Sequence, residues 1–173
     1  MSGENNMIYP VDISTQPVWN ILSNIMDPEV PVLSILDLGI VRRVTVNDDA
    51  VEVVITPTYT GCPAVDMIST SIRMELLAAG YKSIQVLQVL SPAWTTEWMS
   101  EHGKKKLREY GIAPPNNVQQ VCHHDRFVND ESVQCPHCRS WHTRMVSEFG
   151  STACKSLYQC NDCQEPFDYF KCH

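Results

Sequence analysis

Apolar residues recur at helical spacing at Val18, Ile21, Leu22 and Ile25, with Ser14 or Thr15 placed to cap the run, Pro17 in its first turn and Asp27-Pro28-Glu29 to stop it. Two β-branched runs follow, Ile40 to Val46 and Val51 to Thr56, around Asn47-Asp48-Asp49, which is the pattern of an antiparallel hairpin. After a loop from Pro57 to Gly61, Val65, Ile68, Ile72 and Leu76 mark a second helix between Pro63 and Ala79, and Gly80 terminates it. Ser83 to Leu90 alternates like a third strand. A helix separates it from the second strand, so the two are expected to be parallel and joined by a right-handed crossover. Pro92 ends that strand, and Thr95 is the expected cap of a third helix through Trp98, Met99 and Leu107 to Tyr110. The order is α-β-β-α-β-α: an α/β (α+β) unit over residues 15–112 with a small mixed three-stranded sheet.

Between Gly111 and Val133 the pattern dissolves into Ala113-Pro114-Pro115-Asn116-Asn117 and a polar, His-containing stretch, as expected for a linker over 113–133 between separately packed units, with the boundary near residue 115. The remaining segment, 134–173, is roughly 40 residues, too few for a stable apolar core of its own, so something must cross-link it.

The cysteines supply the cross-link. Six of the eight in the chain lie in this last segment, leaving Cys62 and Cys122 to the rest. No run approaches the roughly 20 apolar residues of a membrane span, and the first residues lack the basic start and apolar run of a signal peptide. The expected compartment is therefore the cytosol, where clustered cysteines point to metal rather than to disulfides. The formal net charge of -7 disfavours general attraction to nucleic acid or anionic membranes and favours a protein or small-molecule partner.

Cys135-Pro-His-Cys138 and Cys160-Asn-Asp-Cys163 are two pairs of the kind that wrap one ion in a tight turn, and together they offer four thiolates. The 21 residues between them suit a strand, a turn at Phe149-Gly150-Ser151 and a return strand: a zinc ribbon. Four sulfurs close a coordination sphere, which argues for a structural ion. Zinc is the first choice, although iron or an iron-sulfur cluster also uses four thiolates. Cys154 and Cys172 can be spare ligands, redox thiols or buried small hydrophobes, the last being commoner. Cys122-His123-His124 can bind metal in principle, but adjacent residues in a polar linker are more often solvated.

Cys62 sits where the loop after the second strand meets the second helix, in Thr60-Gly61-Cys62-Pro63. Gly61 would allow close backbone approach, the helix N-terminus would lower the thiol pKa, and Thr58, Tyr59, Thr60 and Asp66 lie within loop reach. A thiolate there would bind metal or attack an electrophile. The bland alternative is a cysteine filling space behind a helix cap. A cluster on Cys62 would need a further ligand from a remote cysteine, an exogenous thiol or a second chain, as in a homodimer. Asp27 and Glu29 can be paired carboxylates for proton transfer, but read more simply as a turn. Lys104-Lys105-Lys106 with Arg108 reads as a solvated helix face, and Trp94, Trp98 and Met99 as core. No phosphate loop, nucleophilic triad or dinucleotide fingerprint is present, so the residues name no catalytic group.

Asp27-Pro-Glu-Val-Pro-Val-Leu-Ser-Ile-Leu-Asp-Leu-Gly-Ile-Val-Arg-Arg-Val44, followed by Thr56-Pro-Thr-Tyr-Thr-Gly-Cys-Pro63, resembles the MIP18 (DUF59) family. That resemblance implies the element order above, a link to iron-sulfur cluster assembly and a functional cysteine at the position of Cys62. Pro92-Ala-Trp-Thr-Thr-Glu-Trp-Met99, Arg108-Glu-Tyr-Gly-Ile112, Glu148-Phe-Gly-Ser-Thr-Ala-Cys-Lys155 and Glu165-Pro-Phe-Asp-Tyr-Phe-Lys-Cys172 are similar to the PaaD family of phenylacetyl-CoA epoxidase subunits. The second resemblance implies an accessory role in aerobic phenylacetate catabolism. Its expected partners are the other epoxidase subunits, especially the iron-sulfur reductase, which would be matured or docked while the oxidative step belongs elsewhere.

Overall fold

The computed structural model describes residues 13–115 and 133–171. Cys122, its neighbouring histidines, Cys172, His173 and most of the expected linker lie outside the described residues. After a single 3-10 turn, helix α1 (Gln16–Leu22) buries Val18 and Leu22. It ends a turn earlier than its apolar spacing suggests, and Thr15 occupies the cap position without a capping side-chain bond. Ile25 is still buried, but from the connection that follows.

Strands β1 (Val41–Asn47) and β2 (Ala50–Ile55) form the antiparallel hairpin, with Val44 opposite Val53 and Asn47 opposite Ala50. Helix α2 (Ala64–Ala78) then crosses over, and β3 (Ser83–Gln88) pairs in parallel with β2, Val53 opposite Val86. The sheet order is β1-β2-β3. The period read along the chain is the one that packs: Ala64, Val65, Ile68, Ile72 and Leu76 form the buried face of α2.

The third helix differs from its expected start. Helix α3 covers Glu101–Glu109 and is capped by Ser100, whose Oγ accepts the N–H of Gly103 at 2.9 Å. Thr96–Trp98 is a separate 3-10 turn, and Met99 is extended so that its side chain reaches the core. Gly39, at φ +68°, lies directly against this turn, where any Cβ would overlap the Trp98 carbonyl oxygen. Asp37 ties the two segments together. Its nearly buried carboxylate accepts from the Ser34 amide (3.1 Å), the Ser34 and Ser100 hydroxyls (both 3.0 Å) and Lys106 Nζ (2.8 Å). The lysine run is thus not a uniformly solvated face: Lys106 is spent on Asp37, and Lys104 is 8% exposed and paired with Glu101 at 2.8 Å. Trp94 and Met99 are core residues.

The last segment folds as strands β5 (Thr143–Ser147), β6 (Lys155–Cys160) and β7 (Pro166–Phe170), antiparallel in sequence. A fourth strand, β4 (Ile112–Ala113), pairs in parallel with β7, so the sheet runs β4-β7-β6-β5. The end of the first unit is therefore an edge of the second unit's sheet. Packing is likewise not separate. Tyr158, Phe167 and Tyr169 make a small core with Cys135 and Cys160, whereas Cys154 and Phe170 belong to the core of the first unit. Trp94 meets Phe170 edge-on at 6.2 Å between ring centroids and donates its indole N–H to the Leu38 carbonyl at 2.9 Å. So few apolar residues cannot hold a free-standing sheet, and the ribbon leans on its neighbour. Among the described residues, no helix is long and apolar enough to cross a membrane.

Candidate metal centres

The two Cys-x-x-Cys turns are built alike. In each, the first cysteine donates its N–H to the carbonyl five residues on: Cys135 to Ser140 at 2.8 Å and Cys160 to Glu165 at 3.0 Å. The residue after the second cysteine, Arg139 or Gln164, adopts φ +64°. Neither is glycine, so the turns are held by these bonds rather than by a freely rotating residue. Facing each other, they bring Cys135, Cys138, Cys160 and Cys163 together, with all four sulfurs within 4.8 Å of one another. Cys135 Sγ to Cys163 Sγ is 3.8 Å and Cys138 Sγ to Cys160 Sγ is 3.5 Å. Four sulfurs at about 2.3 Å from one tetrahedral ion would be about 3.8 Å apart, so the set fits an ion of that size. The backbone N–H of Cys163, and next that of Asp162, hold the Cys160 thiol down at about 7, whereas burial and the neighbouring sulfurs push Cys138 and Cys163 up.

Cys62 has a different setting. The loop before α2 turns at Gly61, φ +83°, and Cys62 N–H donates to the Tyr59 carbonyl at 3.3 Å. A Cβ on Gly61 would meet nothing within 4 Å, so this glycine serves the backbone angle and not a close approach. Thr60 and Asp66 are on the surface. Besides Thr58 and Tyr59, the polar groups near Cys62 come from the Asp27-Pro28-Glu29 turn, whose carboxylates the sequence pattern reads more simply as a turn than as a proton-transfer pair. Asp27, 7% exposed, accepts the amides of Glu29 (2.8 Å) and Val30 (2.7 Å), which aims the turn. Asp27, Thr58 and Cys62 line a depression of about 10 Å³ with Leu38, Ile40 and Val65. That is room for an ion or one water.

The expected lowering of the Cys62 pKa is not found. Burial pushes the thiol up, and the Glu29 and Asp27 carboxylates add to this against the opposing Ala64 N–H and a hydrogen bond from Tyr59. The helix end is outweighed by a buried, negatively charged neighbourhood. Such a site disfavours a bare thiolate and favours a cation beside it. Cys154 stands nearby on the ribbon, 4% exposed, with its sulfur 3.5 Å from Glu29 Oε2 and 3.0 Å from Thr152 Oγ1. Lys155 Nζ lies 3.4 Å from the Glu29 carbonyl. The ribbon is thus seated on the acidic turn that borders Cys62, a meeting of residues 125 positions apart that no local motif encodes.

Fold and centres together define a DUF59-type domain that carries a four-cysteine ribbon at its C-terminal side. Residues 15–87 match the family described as iron-sulfur cluster assembly protein, and residues 119–171 match the PaaD zinc beta ribbon domain. A protein of Escherichia coli (strain K12), provisionally named as one of the subunits of 1,2-phenylacetyl-CoA epoxidase, is 50% identical over 155 residues, 90% of this chain and 91% of that one. The chain belongs to the PaaD family. An Fe-S protein maturation auxiliary factor of Porphyromonas gingivalis (strain ATCC BAA-308 / W83) is 33% identical over 94 residues, 53% of this chain and 89% of that one. The crystal structure of a DUF59 domain of unknown function from Bacillus anthracis is 28% identical with a TM-score of 0.50, covering 53% of this chain and 89% of that chain.

Proposed function

We propose that this protein is a maturation subunit of a phenylacetyl-CoA epoxidase system: Cys62 transiently carries iron or an iron-sulfur cluster toward the iron-sulfur reductase component, and the ribbon is a zinc-holding docking unit. The observation that carries this reading is the setting of Cys62. A single half-buried thiol shares a space the size of one ion with the Asp27 carboxylate, and Glu29 adds negative charge nearby, an arrangement suited to hold a cation weakly and hand it on. By contrast, Cys135, Cys138, Cys160 and Cys163 would enclose zinc on all sides and supply cross-linking, not chemistry. The first unit would span 15–112 and the ribbon 134–173, working in the cytosol beside the other epoxidase subunits. The E. coli relative's name supports the epoxidase setting, and the P. gingivalis relative's name supports maturation.

The test is to purify the reductase component anaerobically from cells that carry Cys62→Ser in this chain. Lowered iron and acid-labile sulfide in the reductase, with the variant itself folded and zinc-loaded, is the expected result. Normal cluster content would sink the reading.

A second reading, a docking component without metal transfer, is favoured by one feature. Strand β5 is a free edge of the ribbon sheet, and Trp141, Met145, Val146 and Phe149 on and beside it are 49–62% exposed. It requires stable co-purification with the oxygenase at near-equal stoichiometry, unchanged by Cys62→Ser.

A further inference from the structure

Ser140 and Asp162 belong to opposite Cys-x-x-Cys turns, the first just beyond Cys138 and Arg139, the second between Cys160 and Cys163. Ser140 Oγ donates to Asp162 Oδ2 at 2.5 Å, and His142 Nδ1 lies 3.1 Å from Asp162 Oδ1. The His142 amide donates to Ser140 Oγ at 2.9 Å, and its carbonyl accepts the Asn161 N–H at 2.8 Å. Side chains and backbone thus both join the two turns. Serine, histidine and aspartate are also the residue types of a nucleophilic triad, but here the hydroxyl is bonded to the carboxylate and not to the imidazole, so the imidazole does not activate it. The His142 and Asp162 side chains are 71% and 55% exposed, and such pairs add little to folding. Their value lies in what the backbones hold. Ser140 N–H is hydrogen-bonded to the Cys138 sulfur, and the Ser140 carbonyl accepts the Cys135 N–H at 2.8 Å. Asp162 N–H is hydrogen-bonded to the Cys160 sulfur. Each residue orients a ligand of its own turn through its backbone and grips the other turn through its side chain.

We propose that Ser140 and Asp162 are positioning residues of the four-cysteine centre: their side-chain bond, braced by His142, clasps the two cysteine turns together and slows release of the metal. The inference rests on the reading of the ribbon as a zinc-holding unit and deepens it. Four sulfurs within 4.8 Å of one another enclose an ion, so the ion leaves only as the two turns part. Parting them breaks the Ser140–Asp162 bond and draws both N–H groups away from their sulfurs. Outer partners that orient ligands in this way contribute about 10- to 100-fold to metal affinity.

The experiment adds a chromophoric chelator to the full zinc-loaded chain and follows zinc release with time. Ser140→Ala and Asp162→Ala are each expected to release zinc about tenfold faster than wild type. The double variant should be no faster than either single one, because the two side chains act as one link. Ser140→Thr, which keeps the hydroxyl, should restore slow release. The cobalt-substituted proteins report the site directly: the absorption of a tetrahedral four-sulfur centre should persist in every variant, which separates an opened clasp from an unfolded ribbon. Release at the wild-type rate in the alanine variants, rates that multiply in the double variant, failure of threonine to restore slow release, or loss of the cobalt absorption would each overturn the clasp while leaving the wild-type centre intact. A wild-type chain that holds no zinc and takes up no cobalt would overturn the zinc-holding reading itself.

Discussion

The ribbon centre and the Cys62 centre use the same element in opposite ways. In the ribbon, four sulfurs from two turns of matching construction close on one point, and backbone N–H groups favour the thiolate at Cys160. At Cys62, one sulfur shares its space with carboxylates that push its proton on rather than off. Four converging ligands suit a retained ion, and on the proposed reading the second site suits exchange, because each ligand missing from the protein is a position a partner can supply. The contrast teaches that neither cysteine count nor helix position alone assigns a role. What differs is how many sulfurs the fold brings to one point and the charge of the groups beside them.

The sharpest way to break the comparison is to remove one ribbon ligand. Cys160→Ser is expected to take zinc from about one per chain to none, with loss of the ribbon fold, since binding free energies of structural zinc are on the order of 10 kcal/mol. Elemental analysis and limited proteolysis read the two effects, and zinc retained at the wild-type level would overturn the closed four-sulfur site. Because Cys154 and Phe170 pack into the first unit, the loss should also lower that unit's melting temperature. An unchanged melting temperature would mean that the two units fold independently.

Gly39→Ala is the next largest. At φ +68° and in collision with the Trp98 carbonyl, an added methyl must displace the turn that seats Met99, at a cost of about 3 kcal/mol or more in urea unfolding. Zinc content of the ribbon should survive at temperatures where the variant is folded. This residue supports the scaffold, and loss of zinc from the folded variant would contradict that.

Asp37 gives a pH signature to the scaffold alone. Burial by itself would raise its pKa, but Lys106, the Ser34 amide and hydroxyl, and Ser100 outweigh burial and hold it at about 2. Because the folded value lies below the unfolded one, the stabilisation is present above about pH 4 and lost as pH falls toward 2. It amounts to roughly 2 kcal/mol. In Asp37→Asn, denaturant midpoints should fall at pH 7 and lose part of their decline between pH 4 and 2. A parallel shift at all pH values would show that the carboxylate charge is not what holds α3.

The sequence pattern is informative wherever partners are near in the chain. Both cysteine pairs are i, i+3 turns, the α2 face has a helical period, and the hairpin lies around one short turn, so each is legible from local spacing. Asp37 with Lys106, Trp94 with Phe170, and Glu29 with Cys154 are not, because each contact is made only after the chain has folded back on itself. That is why the Asp27-Pro28-Glu29 segment reads as a mere turn, the lysine run as a mere surface, and β4 not at all: two residues carry no period. The cap expected at Thr95 falls at Ser100 for a related reason. Gly39 lets the Trp98 turn sit against it, which holds the chain out of helix until Ser100.

The smallest effect tests the Cys62 setting itself. Cys62→Ser should change stability by less than about 1 kcal/mol, because the side chain is only half buried and the exchange alters little volume. In the wild-type protein, the raised pKa makes Cys62 a thiol at neutral pH, so its alkylation by iodoacetamide should be slower than that of an unstructured cysteine at pH 7.5. The rate should level off at a higher pH than for an unstructured cysteine, and Glu29→Gln should bring that plateau to lower pH by removing a charge that disfavours the thiolate. Peptide mass spectrometry resolves this site from the ribbon cysteines. Fast alkylation at pH 7.5 would mean that the helix end does prevail, and that Cys62 is poised to attack an electrophile rather than to wait for a cation.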